Sequence, residues 1–227
     1  MNKILKHIPG RDFLLLFFLF WLTSVILLII TDKDDIELFI NSLSIPVLDK
    51  FFYGITFLGH GVFASIILIL MLLKNYYHSL YLFFTLILVA VFSNLFKRII
   101  FFQHLRPMWN MYYDDLHRII IDAPVNYLRS FPSGHAMTVF AVAFILAVVF
   151  NKRIYTYILF FLAVIVCISR IYLLQHYFAD IVWGSFIGIT SAYLGIILTD
   201  YFFILNKEKL LKSSLLTRLK RGQRISV

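Results

Sequence analysis

Residues 131–170, FPSGHAMTVFAVAFILAVVFNKRIYTYILFFLAVIVCISR, contain two apolar runs separated by a short basic turn. The runs, 136–151 and 154–169, have 16 residues each and carry no charged side chain, and the turn between them contains Lys152 and Arg153. A helix needs about 20 apolar residues to cross a bilayer core, so each run must borrow flanking residues to span it. The pattern predicts two antiparallel transmembrane helices joined by a tight turn.

The rest of the chain is equally apolar. Four more uncharged stretches occur at 13–31, 51–73, 75–96 and 181–199. The 227 residues are 61% hydrophobic and 15% charged, whereas soluble domains are about 45–50% apolar and about 25% charged. This composition excludes a soluble globular enzyme and a disordered chain. We therefore expect an all-α polytopic membrane protein with six transmembrane helices, folded as a single domain (1–227) whose core is about 51–199.

The distribution of basic residues favours a topology with both termini in the cytoplasm. The net charge is +9, and this orientation leaves 13 of the 21 Lys and Arg residues inside. Seven of the 13 lie in the segment 206–227, which we interpret as a basic tail that binds anionic inner-leaflet lipids and not nucleic acid. The outer side is unusual, because five of its eight cations lie in one loop: Lys97, Arg98, Arg106, Arg118 and Arg129.

Polar residues cluster at the outer ends of the predicted helices. His135 lies 17 residues before Lys152, and Arg170 lies 17 residues after Arg153. At 1.5 Å per residue both would stand about 25 Å above the inner turn, and therefore at one level. Because the bilayer core is about 30 Å thick, that level is close to the outer headgroup boundary, where a lipid phosphate is within reach.

The residue types in this cluster suit a phosphoryl group. Ser133 is a plausible helix N-cap, and the free backbone N–H groups of a helix start bind anions, with Gly134 allowing close approach. Arg106 and Arg170 supply planar charged forks that match phosphate oxygens, and Lys97 supplies a point charge. Three cations and a helix N-terminus together predict a phosphate-binding site.

Two histidines and an aspartate add candidate catalytic groups. His176 and Asp180 are four residues apart, so they share a helical face if the sixth helix begins at His176. The carboxylate would hold one imidazole nitrogen and leave the other free as a nucleophile. His135 is placed to protonate a leaving oxygen. Each element alone has an ordinary explanation, as a helix cap, a helical pair or a snorkelling arginine, but all fall on one membrane face.

These motifs resemble those of the phosphatidic acid phosphatase type 2 superfamily of membrane lipid phosphatases, over roughly 51–199. Pro132-Ser133-Gly134-His135 matches one family motif, and Ser169-Arg170-x5-His176-x3-Asp180 matches another without change. The third motif, Lys-x6-Arg-Pro, departs, because Ile99 occupies the position of its lysine. We expect Lys97 to fill that role, with a two-residue loop extension before Arg106; Arg98 is the alternative.

The resemblance implies a two-step phosphoryl transfer that needs no metal and no cofactor. His176 would attack phosphorus and form a phosphohistidine while His135 protonates the leaving lipid oxygen, and His135 would then activate water. Asp180 would orient His176. The phosphate oxygens would be stabilised by the remaining site residues: Lys97, Arg106, Ser133, Gly134 and Arg170.

The resemblance leaves the substrate open. A cell-envelope lipid, undecaprenyl diphosphate or a lipid A phosphate, is favoured over phosphatidylglycerophosphate and phosphatidic acid, with the loop 103–131 as a lid over the headgroup. The expected location is the inner (cell) membrane, with the active site on the periplasmic side. A lipid phosphotransferase of the same family and a non-catalytic lipid-phosphate-binding protein are the alternatives.

Overall fold

The computed structural model describes residues 10–32, 34–111 and 127–206, and these residues form helices joined by short turns, without a β-strand. The helices, in chain order, are α1 (Arg11–Ile30), α2 (Asp35–Ser42), α3 (Pro46–Ile55), α4 (Gly61–Lys74), α5 (Tyr76–Leu95), α6 (Pro107–Asn110), α7 (Gly134–Phe150), α8 (Arg153–Tyr172) and α9 (Phe178–Asn206). A 3-10 turn, Thr56–Gly59, follows α3, and a π-helical turn, Phe96–Ile100, extends α5. The predicted all-α class is confirmed.

Among the described residues, four helical segments are long and apolar enough to cross a membrane: Arg11–Ile30, Tyr76–Ile100, Arg153–Tyr172 and Phe178–Tyr201. The count is five if Asp35–Ser42 and Pro46–Gly59 are taken as one span bent by 119°. The helices α4 and α7 are apolar but shorter. The protein is thus a polytopic membrane protein, and the count of six spans stays a prediction.

The predicted continuous span 51–73 is wrong. The chain leaves α3 after Ile55, passes through the 3-10 turn and starts α4 at Gly61. His60 breaks the helix with an extended backbone (φ −79°, ψ 143°), and its ring Nδ1 caps α4 by accepting a hydrogen bond from Val62 N–H. An N-cap residue has a non-helical backbone. Because His60 is the N-cap of α4, the helical turn before it has to end there.

The short helix α7 is the centre of the bundle. It has 17 residues and is about 25 Å long, and its residues 136–145 are buried on every side. It packs on α8 and α9, and α5 packs on both α7 and α9. A helix that is apolar all round belongs inside a bundle, so neighbouring helices rather than lipid surround α7.

Glycines allow α9 to approach α7 closely. A Cβ atom on Gly184 would lie 2.8 Å from the carbonyl oxygen of Ser133, and one on Gly188 would overlap the carbonyl oxygen of Met137. Small residues four apart on one helix commonly permit such backbone contact inside membranes. The contact brings the start of α7 against the first turns of α9, where Asp180 lies.

Candidate active site

His176 and Asp180 form a buried pair at the end of the bundle where α9 begins. His176 Nδ1 lies 3.2 Å from Asp180 Oδ2, and each side chain is 1% exposed. The expected helix start at His176 is not observed, because α9 begins at Phe178. The contact forms because Asp180 reaches back from the first turn of α9, where its Oδ2 also accepts a hydrogen bond from Tyr177 N–H (3.1 Å).

This environment keeps His176 neutral. Burial lowers the pKa of the His176 imidazole well below its ordinary value, and the charges of Lys97, Arg106 and Arg170 lower it further. With Nδ1 bonded to Asp180, Nδ1 carries the single proton of the neutral ring. No described residue hydrogen-bonds Nε2, which therefore offers its lone pair.

The two predicted arginines are buried beside this pair, each held by a residue distant in sequence. Arg170, in the last turn of α8, donates from Nη1 to Thr56 Oγ1 at 2.8 Å, and its Nε has no partner among the described residues. Arg106 donates from Nη1 to Gln175 Oε1 (2.8 Å) and to the Gln175 carbonyl (3.1 Å). Burial lowers the pKa of Arg106, although a guanidinium stays charged at neutral pH.

Lys97, and not Arg98, points toward the start of α7. Its Nζ lies 3.8 Å from the position that a Cβ atom on Gly134 would occupy. Arg98 is exposed, and it lines an outer groove of α5 together with Ile99 and Asn94. The π-helical turn, closed by Phe101 N–H to the Phe96 carbonyl at 2.7 Å, takes more residues per turn than an α-helix. That turn absorbs part of the extra length between Lys97 and Arg106.

The start of α7 has the geometry of an anion site. Ser133 is the N-cap, as predicted, and its hydroxyl accepts a hydrogen bond from Ala136 N–H (3.4 Å). Ser133 N–H donates to the Asp180 carbonyl at 3.0 Å, which ties α7 to α9. Gly134 is partly exposed on the side that faces Lys97, so backbone N–H groups and a cation meet there.

His135 follows in the first turn of α7 and rests on the break between α3 and α4. A Cβ atom on Gly59 would lie 2.9 Å from His135 Cβ and 3.0 Å from Cδ2. The His60 ring stands edge-on to the His135 ring, with 5.9 Å between centroids. All eight predicted site residues thus gather at one end of the bundle, with Arg98 outside the cluster.

Several neighbours were not predicted from the sequence: Ser130, Thr56, Gly59, His60 and Gln175. Ser130 Oγ hydrogen-bonds Asp180 Oδ2, and Glu37 of α2 caps α9 by accepting a hydrogen bond from Phe178 N–H at 2.5 Å. One signal was available, since a histidine between two glycines (59–61) inside an apolar stretch marks a functional candidate. Ser130 and Gln175 are ordinary loop residues in sequence, Thr56 is a single threonine inside the predicted span 51–73, and none of the three gave a signal.

Some predicted features lie outside the described residues. They are the basic tail from Lys207 onward and the part of the outer loop at 112–126, which includes Arg118. Within the described residues, no group of three or more His, Cys, Asp or Glu side chains is arranged to hold a metal ion.

Comparison with known proteins identifies the family. The model of the PAP2 superfamily matches residues 78–204. The crystal structure of Aquifex aeolicus LpxE is similar, with a TM-score of 0.62 and 27% identity, covering 72% of this chain and 93% of that one. A transmembrane PAP2-type phosphatidylglycerolphosphate phosphatase from Bacillus subtilis shares the fold, with a TM-score of 0.51, 20% identity and coverage of 86% and 95%. No sequence match was found among curated proteins. The chain therefore belongs to the PAP2 superfamily and is a membrane phosphatase.

Proposed function

We propose that this protein hydrolyses a phosphate or diphosphate monoester of a cell-envelope lipid through a phosphohistidine on His176, without a metal or another cofactor. The observation that carries the proposal is the buried His176–Asp180 pair, in which Asp180 Oδ2 holds Nδ1 of the His176 imidazole at 3.2 Å. Its Nε2 has no partner among the described residues, and three cations lie within electrostatic reach of the ring. A site that only binds phosphate needs the cations but has no use for a buried, oriented, neutral imidazole.

In the first step, the Nε2 lone pair of His176 attacks phosphorus, and the bond from phosphorus to the lipid oxygen breaks. Burial and the neighbouring cations lower the pKa of His135, and the negative charge of the bound phosphate beside the ring restores its protonated form. His135 then gives its proton to that leaving oxygen. The Nδ1 proton stays on the ring, and Asp180 compensates the positive charge that the ring gains. The equatorial phosphate oxygens are stabilised by Lys97, Arg106, Arg170, the N-cap Ser133 and the Gly134 N–H.

In the second step, water attacks phosphorus on the opposite side from Nε2. His135, now unprotonated, takes a proton from the water, and the bond between phosphorus and Nε2 breaks. Inorganic phosphate leaves, His176 returns to the neutral form, and His135 is protonated for the next turnover. Each group therefore ends the cycle as it began.

The substrate is a lipid because the reactive groups lie at helix ends near the membrane boundary. His135 opens α7, and Arg170 closes α8, about 25 Å from the turn that joins the two helices. Undecaprenyl diphosphate and lipid A phosphates are the proposed substrates. Because a phosphatidylglycerolphosphate phosphatase shares the fold, phosphatidylglycerophosphate is included in the test as a comparison substrate.

The proposed topology has six spans in a single domain, both termini in the cytoplasm, and the site on the periplasmic side of the inner (cell) membrane. An ion pair supports the placement of the start of α1 at the end opposite the site, because Arg153 Nε lies 3.2 Å from Asp12 Oδ2 and joins the starts of α8 and α1. At the same end, Tyr77 of α5 donates to Asp200 of α9 at 2.5 Å. The chain therefore enters α1 and leaves α9 on the side opposite the site, where the basic tail would meet anionic inner-leaflet lipids.

The test is phosphate release by detergent-purified protein in EDTA, with undecaprenyl diphosphate, lipid A, phosphatidylglycerophosphate and phosphatidic acid. We expect release by the wild type and none by His176→Ala. His78→Ala, at the far end of α5, is the matched control and should retain activity. Equal release by wild type and His176→Ala would overturn the mechanism, and so would inactivation by EDTA that Mg²⁺ reverses.

A further inference from the structure

The loop before α7 places a serine hydroxyl on the buried catalytic pair. Ser130 is fully buried, and its Oγ donates a hydrogen bond to Asp180 Oδ2. The same Oγ lies 3.4 Å from His176 Nδ1. Its backbone is held as well, since Ser130 N–H donates to the His104 carbonyl at 3.0 Å. The hydroxyl therefore contacts both members of the pair from a fixed position.

The hydrogen bonds that the described residues make to the Asp180 carboxylate all go to one of its two oxygens. Oδ2 accepts from Ser130 Oγ, from Tyr177 N–H at 3.1 Å and from His176 Nδ1 at 3.2 Å. Oδ1 is buried and has no hydrogen-bond partner among the described residues. Since a carboxylate with one bonded oxygen can rotate about Cβ–Cγ, the three donors on Oδ2 set its orientation. Ser130 is the donor among them that comes from outside the turn between α8 and α9.

We propose that Ser130 is a positioning residue that holds the Asp180 carboxylate so that His176 keeps its tautomer and its aim toward the substrate phosphorus. This inference rests on the proposed function. The hydroxyl proton stays on Ser130 throughout, and no bond to substrate is made. When Nε2 is phosphorylated the ring becomes cationic, and the Ser130 Oγ lone pair beside Nδ1 gives that N–H a second acceptor. Ser130 thus acts on the rate of phosphoryl transfer through Asp180 and His176.

The test compares kcat and KM for Ser130→Ala in the wild-type and in the Asp180→Ala backgrounds. Alone, the substitution should lower kcat by about 10- to 100-fold, the range for a hydrogen bond to a charged group, with KM changed little. In the Asp180→Ala background the same substitution should change kcat by much less, because residues that act as a unit are not additive. An equal loss in both backgrounds would overturn the proposal, as would an unchanged kcat in Ser130→Ala.

Two controls separate this role from folding. Ser185→Ala removes another fully buried serine hydroxyl, whose one hydrogen bond to a described residue goes to the Val182 carbonyl of its own helix, and should leave kcat unchanged. Ser130→Cys keeps a side chain of similar size and should retain the fold with reduced kcat. If both Ser130 variants fail to fold, the serine is a structural residue and the proposal is overturned. Failure of the proposed function itself would appear separately, as unchanged release by His176→Ala.

Discussion

Gly59 lies directly against the imidazole of His135, and a Cβ atom at this glycine would stand 2.9 Å from His135 Cβ. Gly59 belongs to the 3-10 turn between α3 and α4, and His135 opens α7. The proposed general acid thus rests on a backbone surface that a larger residue would displace. Real Cβ atoms essentially never lie within 3.0 Å of a non-bonded heavy atom, so His135 would have to move.

Gly59→Ala is expected to impair protonation of the leaving group. Turnover of lipid phosphates, whose leaving alkoxide needs a proton, should fall by about 100-fold or more, within the range that general acid catalysis contributes. An aryl phosphate with an acidic leaving group should be affected far less. The measurement is the ratio of the two rates in each variant. Gly61→Ala is the control, since a Cβ atom there meets nothing within 4 Å. Equal losses with both substrates would contradict this role of Gly59.

Thr56→Val should weaken the proposed phosphate site. Thr56 Oγ1 accepts the 2.8 Å hydrogen bond from Arg170 Nη1, and valine keeps the shape but leaves the buried guanidinium with one partner fewer. A hydrogen bond to a charged group contributes about 1.5–3 kcal/mol, so kcat/KM should fall by about 10- to 100-fold. Thr156→Val, which alters a buried threonine in the first turn of α8, should not change kcat/KM. Matching losses in both variants would rule out a specific role.

Gly59 beside His135 and Thr56 beside Arg170 illustrate which parts of the site the sequence alone could predict and which it could not. His135 and Arg170 were predicted to reach one level because they stand equally far from one turn, and helix geometry converts that count into height. Thr56 is 114 residues from Arg170, and no local periodicity reports so distant a contact. The break at His60 was missed for a related reason, since the apolar run 51–73 hides a helix cap made by one ring nitrogen. The π-helical turn that orients Lys97 likewise has no compositional signal.

Lys97→Ala and Arg98→Ala should have opposite outcomes. Lys97 Nζ lies near Gly134 at the start of α7, whereas Arg98 is exposed on the outer groove of α5. Loss of a cation that stabilises transition-state charge should cost about 100-fold or more in kcat. Arg98→Ala should retain nearly full turnover, because its side chain lies outside the site. Retained activity in Lys97→Ala with loss in Arg98→Ala would reverse the assignment.

The pH dependence should show a nucleophile that resists protonation. Burial lowers the pKa of His176 well below its ordinary value of 6.5, and only the neutral ring can attack phosphorus. As pH falls through 6.5, the folded enzyme therefore keeps His176 unprotonated. Between pH 5 and 8, we therefore expect no decrease of kcat/KM centred near pH 6.5 that is caused by protonation of His176. A single acidic limb with an apparent pKa near 6.5, present for lipid and aryl substrates alike, would show that His176 titrates normally.

The same shift links pH to stability. Below pH 6.5 the unfolded chain binds a proton at position 176 that the folded protein does not bind, so the unfolded state gains stability as pH falls. The contribution is present above pH 6.5 and is lost progressively below it. His176→Gln removes this titration, so its thermal unfolding midpoint should decline less than that of the wild type between pH 7.5 and 5.5. Parallel declines in the two proteins would contradict the linkage.

Gly188→Ala should separate α9 from α7 and thereby disturb the site indirectly. The added Cβ would overlap the carbonyl oxygen of Met137, which is backbone and cannot move aside as a flexible side chain could. Overpacking of this kind costs about 1–3 kcal/mol, so the unfolding midpoint in detergent should drop. The Asp180 carbonyl would also shift from Ser133 N–H, now 3.0 Å away, and activity should fall with stability. Gly54→Ala, where a Cβ meets nothing within 4 Å, should change neither quantity. A stable Gly188→Ala variant with full activity would show that the helices can separate without consequence for catalysis.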